Sequence, residues 1–312
     1  LIMQARELNK LRGTFLHGLM NYSEHDRIHA HINQIRSDSG GTVSGRFSYN
    51  HPNLQQVPSR GQFAKEIRKL FIPEMGQYWL KADYSQQEPR LLTHWACLVN
   101  QLGAKEVKEA YQKSDLDFHQ QTADMAGVER RLAKTIGLGV MYGMGYNKLA
   151  RELDIEPPEA KKMLADFRER VPFMQGMLEA VMNRANTKGI IRTLLGRKCR
   201  FDLWEPTQWG VHKALPHNQA KVEYGDAIKR AGTYKALNRL IQGSAADQTK
   251  KAMVDVYEQT GIIPHIQVHD ELDCSVKDEK QAKEIKHIME TCVDLEVPSK
   301  VDIDLGESWG DK

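Results

Sequence analysis

The stretch RRLAKTIGLGVMYG, residues 130–143, decides the fold. Within it, Arg130, Lys134, Leu138 and Tyr142 stand at every fourth position. An α-helix advances ~100° and ~1.5 Å per residue, so these four side chains follow one slowly turning face over ~18 Å. The pattern therefore predicts a helix with a stripe of two cations, an apolar side chain and a phenol.

The order of groups in this stripe matches a nucleoside triphosphate, which has a polyanion at one end and a flat base at the other. The guanidinium of Arg130 can grip phosphate oxygens through its fork, and Lys134 can act as a point charge. The alternative is an ordinary surface helix, with Leu138 and Tyr142 facing a core.

Glycine recurs along this helix, at positions 137, 139, 143 and 145. Each glycine costs about 1 kcal/mol in a helix interior. We therefore expect a compensating close approach, either of a substrate or of another backbone segment.

The sequence on either side predicts a helical block between two groups of strands. Residues 105–200 are mostly helical, whereas apolar alternation predicts strands before and after them. This order indicates an α+β fold with a helical insertion, because a doubly wound sheet would alternate strands and helices regularly. The predicted strands are Tyr78–Asp83, Ile262–Val268, Glu271–Val276 and Lys300–Leu305. The predicted helices are 1–20, 85–98, Glu129–Leu153, Glu156–Arg170, Pro172–Gly189, Tyr234–Thr260 and Lys277–Cys292. Residues 36–60 are predicted as loop or short strands, and residues 202–230 show no clear period.

Two aspartates stand at the ends of predicted strands. Asp83 ends the first strand, and Asp270 lies where the next two strands are joined. Carboxylates on adjacent strands can bind two Mg²⁺ ions ~3.5–4 Å apart, the spacing used for in-line phosphoryl transfer. The alternative is that both aspartates are turn or cap residues, which is common at strand ends.

The bulk composition permits one large domain or two interleaved subdomains. Of the 312 residues, 40% are hydrophobic and 27% are charged, which is ordinary for a soluble globular protein. The net charge of +3 is too small to indicate a partner. The four cysteines show no CxxC spacing, so we expect buried reduced thiols rather than a zinc site or disulfides.

No apolar run approaches the ~20 residues of a membrane span, and no signal peptide is recognisable. We therefore expect a cytoplasmic or nucleoid-associated protein with no membrane partner. The chain begins at Leu1 rather than at a methionine, which indicates a fragment or an omitted upstream region.

Six blocks of sequence match one family in its order along the chain. They are SGRFSYNHPNLQQVP (44–58), DYSQQEPR (83–90), RRLAKTIGLGVMYG (130–143), TLLGRKCRF (193–201), LNRLIQGSAAD (237–247) and VHDEL (268–272). Through them the chain resembles the family A DNA polymerases, the group of bacterial DNA polymerase I and many phage replicative enzymes. DYSQQEPR is similar to the family's motif A, RRLAKTIGLGVMYG to motif B and VHDEL to motif C.

The resemblance implies a right-hand polymerase fold, with an antiparallel-sheet palm, a large helical fingers insertion and a thumb that is mostly absent. Residues 1–35 would be the end of the thumb or a connecting helix, and residues 36–87 the first part of the palm. Residues 88–230 would form the fingers, including a 202–230 loop, and residues 231–312 the second part of the palm.

The resemblance also implies template-directed addition of deoxynucleotides to a primer 3′-OH, in phage or bacterial replication or repair. Its cofactors would be two Mg²⁺ ions, and its partners primer–template DNA and dNTPs. Asp83 and Asp270 would be catalytic metal ligands, with Glu271 as an auxiliary carboxylate and Lys134 as a catalytic cation. The residues implied in dNTP binding are Arg130, Lys134, Leu138, Tyr142, His119, Glu88 and Gln86. Those implied in DNA binding are Arg46, Asn53, Gln55, Asn238, Gln242 and His269.

Glu88 has two interpretations. By resemblance it is the steric gate that excludes a ribose 2′-OH. From the local sequence, Ser85 and Glu88 form a capping box that opens a helix, although Pro89 fits better if the helix begins nearer Glu88. The two roles can coexist.

The chain departs from the family pattern in motif B and in the 202–230 loop. Leu138 stands where the family more often has Phe or Tyr, which predicts strong discrimination against dideoxynucleotides. Gly137 stands where Asn is commoner. The loop is longer than in compact bacterial relatives, and it either contacts DNA or is a family-specific surface loop. Its candidate DNA contacts are Lys213, Lys221, Lys229, Arg230, Trp204 and Trp209.

Other functions stay open from the sequence. A single-subunit RNA polymerase shares the palm and its motifs, but Glu88 and Glu271 favour DNA synthesis. A truncated DNA-binding fragment with little activity is the alternative from another class. A reverse transcriptase is disfavoured because its YxDD tetrad is absent. An upstream exonuclease or thumb region, or a separate processivity factor, is a further candidate partner.

Overall fold

The computed structural model describes residues 5, 6, 8, 9, 11–37, 40–61, 63–113, 116–208, 210 and 212–311. The chain divides into two compact units. The sheet unit comprises Leu1–Gln87, Ala246–Asp294 and Ser299–Lys312, and the helical unit comprises Glu88–Ala245 and Leu295–Pro298. Segments distant along the chain therefore build the sheet unit.

The secondary structure is mixed, with helices through most of residues 87–188 and short strands before and after them. A π-helix, Leu11–His17, precedes the α-helices, and short 3₁₀ helices cover Leu54–Gln56 and Thr233–Lys235. The α-helices are α1 (Gly18–Met20), α2 (Ala64–Arg68), α3 (Gln87–Leu98), α4 (Ala104–Lys113), α5 (Phe118–Ala126), α6 (Arg130–Met141), α7 (Tyr146–Leu153), α8 (Pro157–Arg170), α9 (Pro172–Lys188), α10 (His217–Tyr224), α11 (Ala236–Thr260) and α12 (Glu279–Thr291). The strands are β1 (Ser23–Glu24), β2 (Arg27–Ile28), β3 (His31–Asn33), β4 (Ser48–Asn50), β5 (Tyr78–Tyr84), β6 (Ile190–Arg192), β7 (Lys198–Arg200), β8 (Leu203–Pro206), β9 (Leu215–Pro216), β10 (Ile228–Arg230), β11 (Ile266–Val268), β12 (Glu271–Val276) and β13 (Val301–Gly306).

A four-stranded antiparallel sheet, in the order β11-β12-β5-β13, is the centre of the sheet unit. Successive residues of a strand point to opposite faces, so the side chains of β5 separate into two sets. Leu80, Ala82 and Tyr84 pack in a core with α12 and the C-terminal half of α11. Trp79 and Asp83 belong to the other face.

Trp79 belongs to a second core of the sheet unit, which the N-terminal region helps to build. It packs with Phe15 of the π-helix, Leu54 of the 3₁₀ helix and Trp309 near the C terminus. The rings of Trp79 and Trp309 stack with centroids 6.2 Å apart, and the guanidinium of Arg68 lies 4.1 Å from the Trp309 ring. On this face of β5, Trp79 is therefore buried, whereas Asp83 is exposed.

The helical unit has a core of its own. Phe118 of α5 and Phe173 of α9 are fully buried there, and their rings meet edge to face with centroids 6.1 Å apart. Burial of each such side chain stabilises the unit by roughly 1.5–3 kcal/mol. Four central helices, α6 to α9, contribute buried residues to the same core.

Residues 202–230 fold into a small three-stranded antiparallel sheet, in the order β10-β8-β9. Trp204 of β8 stands directly opposite Arg230 of β10. The sequence predicted no element here, because strands this short cannot establish a period. Trp209, one of the candidate DNA contacts, lies outside the described residues.

Most predicted elements are confirmed. The α+β class is confirmed, and β12, α8 and α9 begin and end within a residue of their predicted bounds. The helix predicted for residues 1–20 is confirmed from Leu11 onward; residues 1–4, 7 and 10 lie outside the described residues. The cysteines are free, as expected, but only Cys199 and Cys274 are buried. No helix in the described part of the chain has the length and hydropathy of a membrane span.

Two local predictions are wrong. The helix predicted from Glu129 to Leu153 is two helices, α6 and α7, because Gly143 takes a left-handed conformation with φ +70°. Ser85 is not the N-cap of α3, since Gln86 has φ +53° and the helix begins only at Gln87, nearer Glu88 as the alternative start required. Pro89 therefore lies in the first turn of α3, where the missing N–H has no intrahelical partner to lose.

Candidate active site

A row of carboxylates lies at one end of the central sheet. Asp83, near the end of β5, stands opposite Glu271 of β12 on one side and Asp302 of β13 on the other. Residues directly opposite each other in antiparallel strands place their side chains on the same face. Strand pairing therefore assembles the acidic row Asp302–Asp83–Glu271.

Asp270 adjoins the acidic row from the turn between β11 and β12. Its carbonyl oxygen accepts a hydrogen bond from the amide of Tyr84 at 3.2 Å, which fixes it beside the end of β5. On the other side, the amide of Ser85 donates to the carbonyl of Lys300 at 2.9 Å. Asp83 and Asp270, distant in sequence, are thus brought together by main-chain hydrogen bonds.

The pKa of Asp83 is raised to about 7. Desolvation by the surrounding protein is the largest cause, followed by repulsion from Asp270, Glu271 and Asp302. The side chain itself is exposed, so solvent screens part of the repulsion. A cation among these carboxylates would reverse the effect and favour the ionised form.

The turn that presents Asp270 is tight. Val268 pairs with Glu271, so His269 and Asp270 form a two-residue hairpin loop. His269 has φ +59°, a positive value that such loops require and that non-glycine residues adopt at some cost. The side-chain amide of Gln267 donates to the carbonyl of His269 and stabilises this conformation.

Sequence reasoning missed two acids here, Asp302 and Asp273. Asp273 is fully buried on β12, and the indole Nε1 of Trp79 donates to its Oδ1 at 2.9 Å. Within the described residues, no group donates to its Oδ2. Burial and, next, repulsion from Glu271 raise the pKa of Asp273 well above its usual range.

Glu271, two residues before Asp273 on the same face of β12, accepts a hydrogen bond from the indole Nε1 of Trp309 at 3.2 Å. One sequence signal could have indicated Asp302 and Asp273. Acids alternate with apolar residues in VDIDLG, residues 301–306, and in ELD, residues 271–273. Alternate positions of a strand share a face, so these acids had to lie on the face of Asp83 once the register was known.

The donor set suits a hard divalent cation. Mg²⁺ prefers oxygen ligands and commonly takes one or two carboxylates, with water and substrate phosphates completing its shell. Among the residues described, no three His, Cys, Asp or Glu side chains converge as a ready metal cage. The acidic row and Asp270 therefore fit an ion shared with a phosphorylated substrate.

In the helical unit, α6 displays the stripe seen in the sequence. Arg130 and Lys134 are exposed, Leu138 is half-buried, and Tyr142, directly after the helix, is 40% exposed. Tyr142 therefore does not face the core, contrary to the surface-helix alternative. The expected close approach occurs at Gly143, where a Cβ would lie 2.5 Å from the carbonyl oxygen of Tyr234.

Asp117 links two basic residues at the start of the stripe. Arg130 Nε donates to Asp117 Oδ2 at 2.7 Å, and Asp117 Oδ1 accepts from the amides of His119 and Gln120 at 3.0 and 3.1 Å. Desolvation acts to raise the pKa of Asp117, but the Arg130 and main-chain hydrogen bonds outweigh it and the pKa is lowered. The pKa of His119 is lowered by burial first and then by Lys134. These three basic side chains share one environment, which an anion would stabilise.

The other end of the stripe contacts Glu88. The hydroxyl of Tyr142 donates to Glu88 Oε2 at 3.0 Å, and Glu88 lies in the first turn of α3. A negative charge is favoured there by the helix dipole. Gln86, which precedes α3, has the positive φ described above, while Gln87 is buried.

The residues expected to bind DNA lie in both units. Asn53 caps a 3₁₀ helix by accepting from the amide of Gln55 at 3.1 Å, and Gln55 Nε2 donates to the carbonyl of Gln267 at 3.2 Å. Both therefore have structural contacts close to the strand that leads to His269. The remaining ones are half-buried: Arg46 before β4, and Asn238 and Gln242 on α11.

The family model of DNA polymerase family A matches residues 1–311. The chain belongs to DNA polymerase family A. The resemblance drawn from the six sequence blocks is thereby confirmed. In this family A chain, the aspartates of motifs A and C belong to the sheet unit, and the stripe of motif B belongs to the helical unit.

Relatives of this family A chain are phage and bacterial. A DNA-directed DNA polymerase of Pseudomonas phage M6 is 40% identical and matches 99% of this chain and 51% of its own length. The thermostable DNA polymerase I of Thermus filiformis is 33% identical over 99% of this chain and 36% of its own length. The chain spans about half or less of these relatives.

Among solved structures, the POL domain of Pol1 from M. smegmatis, in complex with DNA primer-template and dNTP, matches with a TM-score of 0.79 at 30% identity. The match covers 98% of this chain and 52% of that chain. It confirms that this family A chain has the mixed helix and antiparallel-sheet fold of a polymerase domain.

Proposed function

We propose that this chain is the polymerising part of a template-directed DNA polymerase, which adds deoxynucleotides to a primer 3′-OH in phage or bacterial replication or repair. The adjacency of Asp83 and Asp270 at one end of the sheet supports this most directly. Family membership supports the reaction, and the M. smegmatis relative is a complex with primer-template and dNTP.

Asp83 and Asp270 are the proposed ligands of two Mg²⁺ ions, with Glu271 as an auxiliary carboxylate. When bound, the ions would lower the pKa of the primer 3′-OH and stabilise the leaving pyrophosphate. The contribution of the chain is to hold carboxylates in a fixed row, which pairing on both sides of β5 achieves. The raised pKa of Asp83 means that a cation displaces a proton on binding near neutral pH.

The cations of α6 fit the incoming triphosphate. Arg130 is oriented by Asp117, Lys134 stands one turn further along, and His119 shares their environment. In this proposal the three neutralise the phosphate oxygens. Positioning and charge neutralisation supply most of the catalysis in phosphoryl transfer.

The remaining assignments concern the sugar, the base and the DNA. Glu88 crowds a ribose 2′-OH, Leu138 faces the sugar, and Tyr142 stands beside the nascent base pair. His269 supports the primer end, and Gln86 is a further nucleotide contact. The assigned primer and template contacts are Arg46, Asn53, Gln55, Asn238 and Gln242.

Primer extension tests the proposal. With a primed DNA template, dNTPs and Mg²⁺, we expect extension that chelation abolishes. Because even an outer-shell change at a metal site costs 10–100-fold, Asp83→Ala should reduce the rate by at least about 100-fold. Asp304→Ala is the matched control, since Asp304 is exposed on the same face of the sheet one row away.

The outcomes separate the candidate functions. Extension with dNTPs but not with rNTPs supports a DNA polymerase. Equal use of rNTPs would indicate an RNA polymerase. DNA binding without extension would refute the proposal and leave a DNA-binding fragment.

A further inference from the structure

The sheet of residues 202–230 borders an open cavity that no step above uses. The cavity has a volume of about 480 Å³ and lies within the helical unit. Trp204, Lys229, Arg230, Tyr234 and, from α9, Asn186 are among its lining residues. Its volume falls in the range of small-molecule sites, about 300–1,000 Å³.

A guanidinium is built into the wall of this cavity. Arg230 donates from Nε to the carbonyl of Asn186 at 3.1 Å and from Nη1 to the carbonyl of Phe201 at 2.8 Å. Its Cζ lies 4.7 Å from the centroid of the Trp204 ring. A Cβ on Gly189, which ends α9, would lie 2.6 Å from that Cζ, so the glycine leaves the space that the guanidinium fills. The cation is therefore fixed before any ligand binds.

The other walls add aromatic surface and a second cation. Tyr234 is 49% exposed, and Trp204 is half-buried. The exposed Lys229 is paired only loosely with Glu205, at 3.9 Å, and a surface pair of this kind contributes little. Aromatic faces together with cations recognise a nucleobase and its phosphate, with little preference among bases.

The cavity adjoins the turn that ends the nucleotide-binding stripe. The carbonyl of Tyr234 lies against Gly143, the residue after Tyr142, closely enough to exclude a side chain there. In the proposed function, the stripe binds phosphates near Arg130 and the base near Tyr142. The template base forms its pair at the Tyr142 end of the stripe. The uncopied template continues from there as a single strand.

We infer that this cavity binds an unpaired nucleotide of the template strand ahead of the copying site. Trp204 and Tyr234 stack on the base, and Lys229 and Arg230 neutralise the phosphate. The inference rests on the proposed function, because only a template-copying chain places single-stranded DNA beside Tyr142. It gives the 202–230 insertion a ligand of defined chemistry.

Binding as a function of overhang length tests the inference. Fluorescence anisotropy compares primer–templates whose 5′ template overhang is one nucleotide or about six nucleotides long. We expect the longer overhang to bind about tenfold tighter, the size of one stacked base. Trp204→Ala combined with Tyr234→Ala should remove this gain but leave the affinity for the short overhang. Val222→Ala is the matched control, since Val222 is exposed on α10 of the same insertion and lies outside the cavity lining.

Photo-cross-linking provides a second measurement in the unsubstituted chain, where folding is not in question. An overhang with 5-iododeoxyuridine at each position in turn should cross-link to Trp204 or Tyr234 from one or two positions only. Excess dTMP should not compete; competition would indicate a site for free nucleotides and overturn the inference.

Two results separate the inference from the function on which it rests. The inference alone would be overturned if the chain extends primers but its affinity does not depend on overhang length. Cross-links only to residues other than Trp204 and Tyr234 would also overturn the inference alone. A chain that neither binds nor extends primer–template DNA would overturn both.

Discussion

Asp83 couples cation binding to proton release. Its pKa of about 7 has two causes, desolvation and then the three neighbouring carboxylates. Below that pH the carboxyl is protonated, so a divalent cation must displace the proton in order to bind. The apparent affinity for Mg²⁺ should therefore rise between about pH 6 and pH 8 and then level off.

Calorimetric titration in two buffers of different ionisation enthalpy measures the released proton. Asp302→Asn removes one repelling charge and should reduce the release at neutral pH, whereas Asp304→Asn should leave it unchanged. A release that is the same at all pH values would contradict this account of Asp83.

Asp273 should make the chain less stable as the pH rises. Burial raises its pKa in the folded chain well above the usual ~4, so the folded state keeps a proton that the unfolded state gives up. The stability it contributes at acid pH is therefore lost progressively above about pH 4. Asp273→Asn keeps an acceptor for the Trp79 indole and should flatten this decline.

Urea unfolding at several pH values compares the two chains, and the advantage of Asp273→Asn should grow with pH. Asp273→Ala removes the acceptor as well and should cost about 1–3 kcal/mol, because the buried indole N–H is left unpaired. An Asn advantage that does not vary with pH would show that Asp273 is not protonated in the folded chain.

Leu138 should determine selection at the sugar. Its side chain has no hydroxyl that could replace a missing 3′-OH, so the chain should discriminate strongly against dideoxynucleotides. Leu138→Tyr should reduce that discrimination by at least about tenfold, and the volume-conserving Leu138→Met should not. Competitive incorporation of deoxynucleotides and dideoxynucleotides measures the discrimination. Equal incorporation of the two by the unsubstituted chain would refute the prediction for Leu138.

Among the elements, the turn between α6 and α7 requires a glycine. Gly143 has φ +70°, and a Cβ there would meet the carbonyl oxygen of Tyr234 at 2.5 Å. Gly143→Ala should destabilise the chain by more than the ~1–2 kcal/mol cost of the left-handed conformation. Gly145→Ala is the matched control, because φ is −86° there and nothing lies within 4 Å. Urea unfolding compares the two, and equal effects would exclude the contact with Tyr234 as the cause.

The same turn shows what local sequence can and cannot predict about elements. Pro157 favours the start of α8 and Gly189 favours the end of α9 through their own backbone preferences. Those two bounds were therefore predictable from the sequence. The break at Gly143 depends on a carbonyl far along the chain, and no local pattern contains that information. Ser85 does not stand at the N-cap of α3 for a related reason, since Gln86 takes a positive φ beside a strand pair that forms only in the folded chain.

At the scale of the whole molecule, charge is separated rather than absent. The chain has 44 Lys and Arg against 41 Asp and Glu, yet acids gather in the row beside Asp83, and Arg130, Arg131 and Lys134 lie together on α6. DNA affinity should therefore follow local cations and fall at least about tenfold between about 50 and 200 mM salt.

Lys229→Gln should lower the slope of log affinity against log salt by about one, as expected for a phosphate contact. Lys283→Gln, on the exposed face of α12 and paired with Glu279, should leave the slope unchanged. An unchanged slope for both variants would remove Lys229 from the DNA interface.

The sequence predicted which types of residue form the candidate site, but only some of the residues themselves. Spacing indicated the stripe of α6, and the resemblance to the family indicated Asp83 and Asp270. Asp302 and Asp273 join the site through the register of β13 and β12, which is set by pairing across the sheet rather than by neighbours in sequence. The 202–230 insertion escaped prediction because its strands are stabilised by one another.

The pairing of Trp204 with Arg230 bears on how the gene changes over evolutionary time. Residues directly opposite in antiparallel strands have Cα atoms only ~4.5–5.5 Å apart, so the segment 205–229 begins and ends at almost one point of the helical unit. The codons for residues 205–229 could be lost in a single deletion and replaced by two turn residues without separating the flanking chain. A lineage could therefore gain or discard this module in one step, and any benefit of gripping uncopied template would be selected separately from the polymerising machinery.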